Sequence, residues 1–346
     1  MRNGKLGVAV IGAGFFGQTH AKTYASLSNT ELLAVVDVDE GRARETADLY
    51  SATAYTDVAE MLLRDDIDMV SVVTPEPLHR DPVVQCAAAG KHIFLEKPIA
   101  TTLEDAEAIC AAAKAANVKI AVGFESRYGL GFSQIKEAID GGTLGKVTYI
   151  YQKRRSDRGF ADMKHGRVSP IMEIAIHDID LFLWYTGFEE VTEVYCTGAT
   201  GVVQEQWGQP DWQVINIKTA SGALGVLDFG WGLPYKWAKW QGPEGWHPYA
   251  DIRTEVLGST GAVYSDMHPM MVRACDEADG WKFPDLVYWP NVAGKIGGAI
   301  RAELESFADC VLEDREPLVT AEQAMAGLRI ALMAERSYKA GVPIRN

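Results

Sequence analysis

The sequence predicts an α/β domain over residues 1–124 followed by an α+β domain over 125–346 with a large, mostly antiparallel sheet. Short runs that are apolar on both faces alternate with helical patterns up to about residue 124, which implies parallel strands covered on both sides. After "AVGFESRY" the strand candidates lengthen, and turn signals join them in pairs, as hairpins require. A chain of 346 residues also exceeds what one ordinary core supports.

In the first domain the strand-like runs are Leu6–Ile11, Leu32–Val36, Met69–Val73, His92–Leu95 and Ile120–Val122. Helical patterns fall between them at Phe16–Leu27, Gly41–Leu49, Val58–Leu63, Pro82–Ala89 and Leu103–Ala115. Right-handed crossovers wind such units into an open, doubly wound sheet. The second domain opens with a helix, Gly131–Ile139, closed at Asp140-Gly141-Gly142, where glycine suits a left-handed cap. Strands are expected at Lys146–Arg155, Val191–Thr197, Trp212–Thr219, Ala223–Phe229, Ile252–Leu257 and Gly261–Ser265. Turns at Ala220-Ser221-Gly222 and Gly258-Ser259-Thr260-Gly261 predict hairpins. Helices are expected at Ile171–Tyr185, Ala299–Leu312 and Ala321–Ala340, the last with a Thr320/Gln323 capping box. Residues 232–250, rich in Trp, Gly and Pro, read as a long loop that either packs on the core or walls a ligand site.

Composition narrows the function classes. Hydrophobic residues make up 47% and charged residues 23%, a globular balance. A net charge of −14 argues against nucleic acid or an anionic membrane as partner. The cysteines at 86, 110, 196, 275 and 310 form no CxxC pair and fit reduced thiols. Without an apolar run of about 18 residues or a signal-peptide pattern, a soluble, cytoplasmic protein is expected.

"VAVIGAGFFG" sets Gly12, Gly14 and Gly17 in G-x-G-x-x-G spacing, with Phe15 and Phe16 between, where a strand gives way to a helix. Gly12 makes the turn, Gly14 admits a pyrophosphate and Gly17 lets helix and strand approach; the helix start holds the anion. Asp37 follows the second strand ~20 residues beyond Gly17, where an acid accepts the ribose hydroxyls and repels a 2′-phosphate. This is a Rossmann arrangement, and NAD is expected over NADP. Thr74, Pro75 and His79 in "TPEPLH" lie past a strand's carboxyl end, where ligands of open sheets sit.

"GKHIFLEKPIA" places Glu96 and Lys97 at that same edge, and Pro98 disfavours helical geometry at Lys97. A lysine beside a nicotinamide would stabilise a developing alkoxide or bind a substrate hydroxyl. In "PIMEIAIHDIDLFLWY", Glu173, His177, Asp180 and Trp184 share one helical stripe. Metal ligation, a buried network and acid/base catalysis compete as explanations, metal least of all because no further His/Cys cluster completes a site. Hydride removal from an alcohol needs a base, which His177 would supply with Glu173 orienting or activating it.

Together "GAGFFG", "TPEPLH", "AGKHIFLEKPIA", "EIAIHDIDLFLWYTG" and the last ~45 residues resemble the Gfo/Idh/MocA oxidoreductases over nearly the whole chain. The resemblance implies a Rossmann domain, then an open-faced sheet domain that assembles homodimers or homotetramers. It also implies NAD(P)-dependent chemistry on a sugar, cyclitol or related alcohol, with Lys97 and His177 catalytic. Arg127 matches the family pattern, and with Arg155, Glu173 and Asp180 is expected to shape the substrate pocket; Glu96 joins the cofactor contacts. Three acids depart from the family: Glu173 stands for its usual aspartate, Glu76 and Glu125 for asparagines. A cofactor-sensing protein without chemistry, and an enzyme using tightly held NAD for epimerisation, elimination or glycosidic cleavage, are the competing readings.

Overall fold

The computed structural model describes residues 4–235, 251–266, 274–276, 280–282 and 285–346. Most of the Trp/Gly/Pro-rich stretch, residues 236–250, lies outside them. In chain order the first part contains β1 (Leu6–Ile11), α1 (Phe15–Ser26), β2 (Thr30–Val36), α2 (Glu40–Asp48), β3 (Thr53–Tyr55) and α3 (Val58–Leu62). It continues with β4 (Met69–Val72), α4 (Arg80–Ala88), β5 (His92–Glu96), α5 (Leu103–Ala116) and β6 (Ile120–Gly123). Then come α6 (Leu130–Asp140), β7 (Val147–Asp157), α7 (Arg158–Lys164), a π-helical turn at Ile171–Ala175 and α8 (Ile176–Tyr185). The strands β8 (Val191–Ala199), β9 (Trp212–Thr219), β10 (Leu224–Leu233), β11 (Asp251–Gly258) and β12 (Ala262–Asp266) follow, with α9 (Val202–Trp207) between β8 and β9. The helices α10 (Gly298–Leu312) and α11 (Ala321–Ala340) come near the end.

The chain forms two compact units. The first holds Met1–Glu125 and Asn291–Leu328. Its six strands run in the order β3-β2-β1-β4-β5-β6, and every neighbouring pair is parallel. That is the doubly wound dinucleotide-binding order, as the sequence predicts. β1 is buried along its whole length, which a strand covered on both faces requires.

A linear division at residue 124 needs correcting. Residues 291–328 return to the first unit, where Phe307 of α10 packs its ring 5.9 Å from Phe94 of β5. The Val122 amide donates to the Val319 carbonyl (3.3 Å), and Thr320 bridges Ala121. The open edge of β6 is thereby paired instead of exposed. The same segment caps α11, because the Gln323 amide donates to Thr320 Oγ1 (3.3 Å).

The second unit, Ser126–Pro290 with Arg329–Asn346, carries a seven-stranded sheet in the order β12-β11-β7-β10-β9-β8, closed by the C-terminal strand Ile344–Arg345. β7 and β10 pair in parallel and all other neighbours antiparallel. Both predicted hairpins, β9–β10 and β11–β12, are present. Alternate residues of β7, namely Ile150, Gln152 and Arg154, are buried, while Tyr149, Tyr151, Lys153 and Arg155 are part-exposed on the other face. α8 covers the buried face, and it comes so close that a Cβ at Gly225 of β10 would lie 2.6 Å from the Phe182 ring.

Replacing Gly225 with alanine should therefore push α8 off the sheet and destabilise the protein by about 1–3 kcal/mol. A calorimetric unfolding midpoint unchanged from wild type would refute the tight contact.

Candidate active site

The cofactor half is built at the carboxyl ends of β1 and β2. Gly12 has φ +98°, and a Cβ there would fall 2.5 Å from the Val73 carbonyl oxygen. At Gly17 a Cβ would lie 1.8 Å from the Gly12 oxygen, so α1 can rest on β1 only without a side chain. Gly14 caps α1 with no side-chain hydrogen bond and has nothing within 4 Å of its Cβ direction. That open helix start, beside Phe15 and Phe16, fits a pyrophosphate. Asp37 fits the adenosine end. Its Oδ2 accepts the Ala13 amide at 2.7 Å and its Oδ1 the Asp39 amide at 2.9 Å, which ties β2 to the glycine turn. The half-exposed Arg42, which sequence reasoning missed, places Nη2 3.1 Å from Asp37 Oδ1.

His79 takes another role than direct cofactor contact. Its ring is buried, with Nδ1 2.9 Å from the Pro98 carbonyl and Nε2 3.0 Å from the Thr74 carbonyl. A neutral ring donates to one of these carbonyls and lies close to the other, so His79 braces the Thr74-Pro75 turn against the segment that carries Lys97. Burial pushes its pKa down, against the two carbonyls.

Lys97 follows the last residue of β5, and the Lys97–Pro98 peptide is cis. The Lys97 amide donates to Glu96 Oε2 at 3.2 Å, while Glu96 Oε1 lies 3.1 Å from Nε2 of His20. Glu76 and Glu125 are buried, as is Glu303 on α10. Neither carboxyl oxygen of Glu303 has a hydrogen-bond partner among the described residues. Burial, then the charges of Glu96 and Glu125, push its pKa well above the ordinary 4.5. Burial thus favours the protonated form of the Glu303 carboxyl.

In the second unit Glu173 sits in the π-helical turn and His177 in the first turn of α8, both buried. Lys164, at the end of α7, places Nζ 2.7 Å from Glu173 Oε1 with both side chains shielded from solvent. Asp180 and Arg127 form a buried bidentate pair: Nε donates to Oδ2 at 2.8 Å and Nη2 to Oδ1 at 2.6 Å. The guanidinium also lies over Trp184 and Phe188 at 5.5 and 5.3 Å from their centroids. Arg127 is 1% exposed, so the pair is buried within the second unit. Burial pushes Asp180 up and Arg127 opposes that rise.

Arg155 also needs correcting. The residue that meets α8 is Arg154, whose Nε donates to Asp178 Oδ1 and Oδ2 at 3.0 and 3.2 Å. Successive strand residues face opposite ways, so Arg155 lies across the sheet from α8. There it pairs with Asp228, which also accepts from Tyr151 Oη at 3.1 Å, and it stacks over Trp212. Among the described residues, no group of three or more His, Cys, Asp or Glu is arranged to hold a metal ion.

Comparison with known proteins gives the family of both parts of the chain. Residues 6–124 match the Gfo/Idh/MocA model, described as an oxidoreductase family with an NAD-binding Rossmann fold, and residues 132–264 match that family's C-terminal domain. A myo-inositol 2-dehydrogenase of Thermotoga maritima is 29% identical over 337 residues, covering 96% of each chain. An NAD(+) scyllo-inositol 2-dehydrogenase of Bacillus subtilis is 30% identical over 343 residues, covering 97% of this chain and 95% of the relative. The structure of scyllo-inositol dehydrogenase from Lactobacillus casei with bound NAD(H) and scyllo-inositol shares the fold, with a TM-score of 0.83 at 21% identity over 99% of both chains.

Two outcomes follow from the first unit. Asp37→Ser should weaken NAD binding about tenfold or more and, with Arg42 retained, strengthen NADP binding; titration of both cofactors measures this. The stability that neutral Glu303 contributes is fully present below its ordinary pKa and is lost as pH rises towards its folded value. Glu303→Gln should therefore raise the unfolding midpoint more at about pH 8 than at about pH 4, and equal shifts at both would mean that Glu303 is not held neutral.

Proposed function

We propose that this chain, which belongs to the Gfo/Idh/MocA family of oxidoreductases, is an NAD-dependent dehydrogenase of a cyclitol or closely related polyol. The observation that carries this reading is full-length likeness to two inositol dehydrogenases in a chain that keeps Lys97 past β5 and His177 on α8. Bound NAD would accept a hydride from the carbinol carbon. Gly12, Gly14 and Gly17 would seat its pyrophosphate and Asp37 its adenosine ribose, with Thr74 and Pro75 serving the nicotinamide half.

His177 takes the hydroxyl proton as the general base. The Lys97 ammonium stabilises the substrate oxygen as negative charge builds on it. Glu173 supplies an anionic neighbour about one turn from His177, which favours the imidazolium formed on proton transfer. Lys164 holds that longer side chain in place. The Arg127–Asp180 and Arg154–Asp178 pairs set the rotation of α8 about its axis, and with it the direction in which His177 projects. The part-exposed sheet face bearing Arg155, Tyr151 and Tyr264 is the proposed contact between copies of the chain, a point that light scattering tests.

Purified protein should reduce NAD with myo- or scyllo-inositol among a panel of polyols and sugars, followed by absorbance of the reduced cofactor. Lys97→Ala and His177→Ala should each lower kcat by about 10²–10⁴-fold while NAD affinity stays within a few-fold of wild type. Full turnover by either variant would remove that residue from the mechanism.

A further inference from the structure

Behind Lys97 the first unit contains a hydrogen-bonded and ionic chain that no step above uses. His20, on α1, is 0% exposed and touches two strands at once. Its Nδ1 lies 2.8 Å from Ser71 Oγ on β4, and its Nε2 lies 3.1 Å from Glu96 Oε1 at the end of β5. The second contact is a close electrostatic one, its N–H lying off the line to the oxygen. The other carboxylate oxygen, Oε2, accepts the Lys97 amide. Rings fix the imidazole on two sides, Phe94 at 5.6 Å and Tyr24 at 6.4 Å, both edge-on.

One tautomer serves every contact. Nε2 carries the proton towards the carboxylate, and Nδ1 accepts from the Ser71 hydroxyl. The space for the carboxylate is also made by an absence: a Cβ at Gly123, the last residue of β6, would fall 3.0 Å from Glu96 Oε1 and 3.2 Å from its Cδ. Glu303 lies near enough for the charge of Glu96 to help raise its pKa, and it has no hydrogen-bond partner among the described residues.

We propose that His20 is a positioning residue for Lys97, holding the Glu96 carboxylate between α1 and β6 so that this carboxylate fixes the direction in which the lysine leaves β5. The inference rests on the role given to Lys97 above. His20 itself touches neither substrate nor reacting atoms. Its effect passes through one carboxylate and one backbone amide, so it bears on kcat and not on the adenosine end of the cofactor.

Three variants test this, each measured for kcat, polyol KM, NAD dissociation constant and unfolding midpoint beside Lys97→Ala. His20→Leu removes both polar contacts and should lower kcat about 10–100-fold with the NAD dissociation constant within about twofold. His20→Gln, whose carboxamide nitrogen reaches towards Glu96, should recover most of that loss. Gly123→Ala crowds the carboxylate from the opposite side and should reproduce the fall in kcat with His20 intact. A folded His20→Leu with wild-type kcat overturns the proposal, as does a loss equal in Leu and Gln that follows the unfolding midpoint. If His20→Leu does not fold, Gly123→Ala decides alone, and an unchanged kcat there refutes the idea. Loss of turnover in Lys97→Ala with none in the other variants sinks only this inference, whereas retained turnover in Lys97→Ala sinks the assignment of Lys97 as well.

Discussion

The separation between α1 and β1 is the constraint on which the first unit depends. A side chain at residue 17 would put its first carbon 1.8 Å from the Gly12 carbonyl oxygen, well inside any tolerable contact. Because glycine stands there, the helix lies against the sheet, and His20, three residues after Gly17, reaches the level of Ser71 and Glu96. The helix start that fits a phosphate and the interior face that steadies Glu96 are thus two ends of one close packing. A small shift of α1 would loosen both. That is why a motif usually read only for phosphate binding bears here on a strand tip two positions further across the sheet.

The second unit solves a different problem: α8 must present His177 in one direction although most of its surface is apolar. Two aspartates, Asp178 and Asp180, follow that histidine along the helix, and each is matched by an arginine, Arg154 from β7 and Arg127 from the turn after β6. Such buried pairs add little net stability, because desolvation offsets most of their attraction, but losing one partner costs about 3–5 kcal/mol. They therefore act as registration marks. A helix of this composition held by leucine and isoleucine alone could rotate to bury a slightly different stripe at small cost, and the ion pairs remove that freedom. The π-helical turn just before it carries Glu173, and such turns are frequent at functional positions.

Much of this was legible in the residues, and the failures have physical causes. β9 and α11 were read to their end residues, because clean alternation and a capping threonine mark them. The parallel first sheet followed from runs that are apolar on both faces. Arg154 and Arg155 could not be told apart, since a strand's period of two says which residues share a face but not which face meets the helix. His79 drew attention as a titratable group at a ligand edge, yet one of its two carbonyl neighbours, Pro98, lies 19 residues away and no local pattern shows it. His20, Lys164 and Glu303 were missed for the same reason: their partners lie 76, 9 and more than 170 residues away (96 − 20, 173 − 164 and 303 − 125). The return of 291–328 to the first unit depends on pairing with β6 that no local pattern announces.

That return has a consequence for how such a protein can be taken apart or recombined. The polypeptide passes from one unit to the other three times, after Glu125, after Pro290 and within α11 after Leu328. A fragment stopping near residue 124 would lack the segment that pairs with β6 and the helix whose Phe307 lies on Phe94. The natural exchangeable piece is instead an insertion, residues 126–290, together with a tail. Homologous shuffling that respects those seams would swap the sheet-bearing second unit while leaving the first whole, whereas a cut at the obvious linear border would leave both products with raw edges.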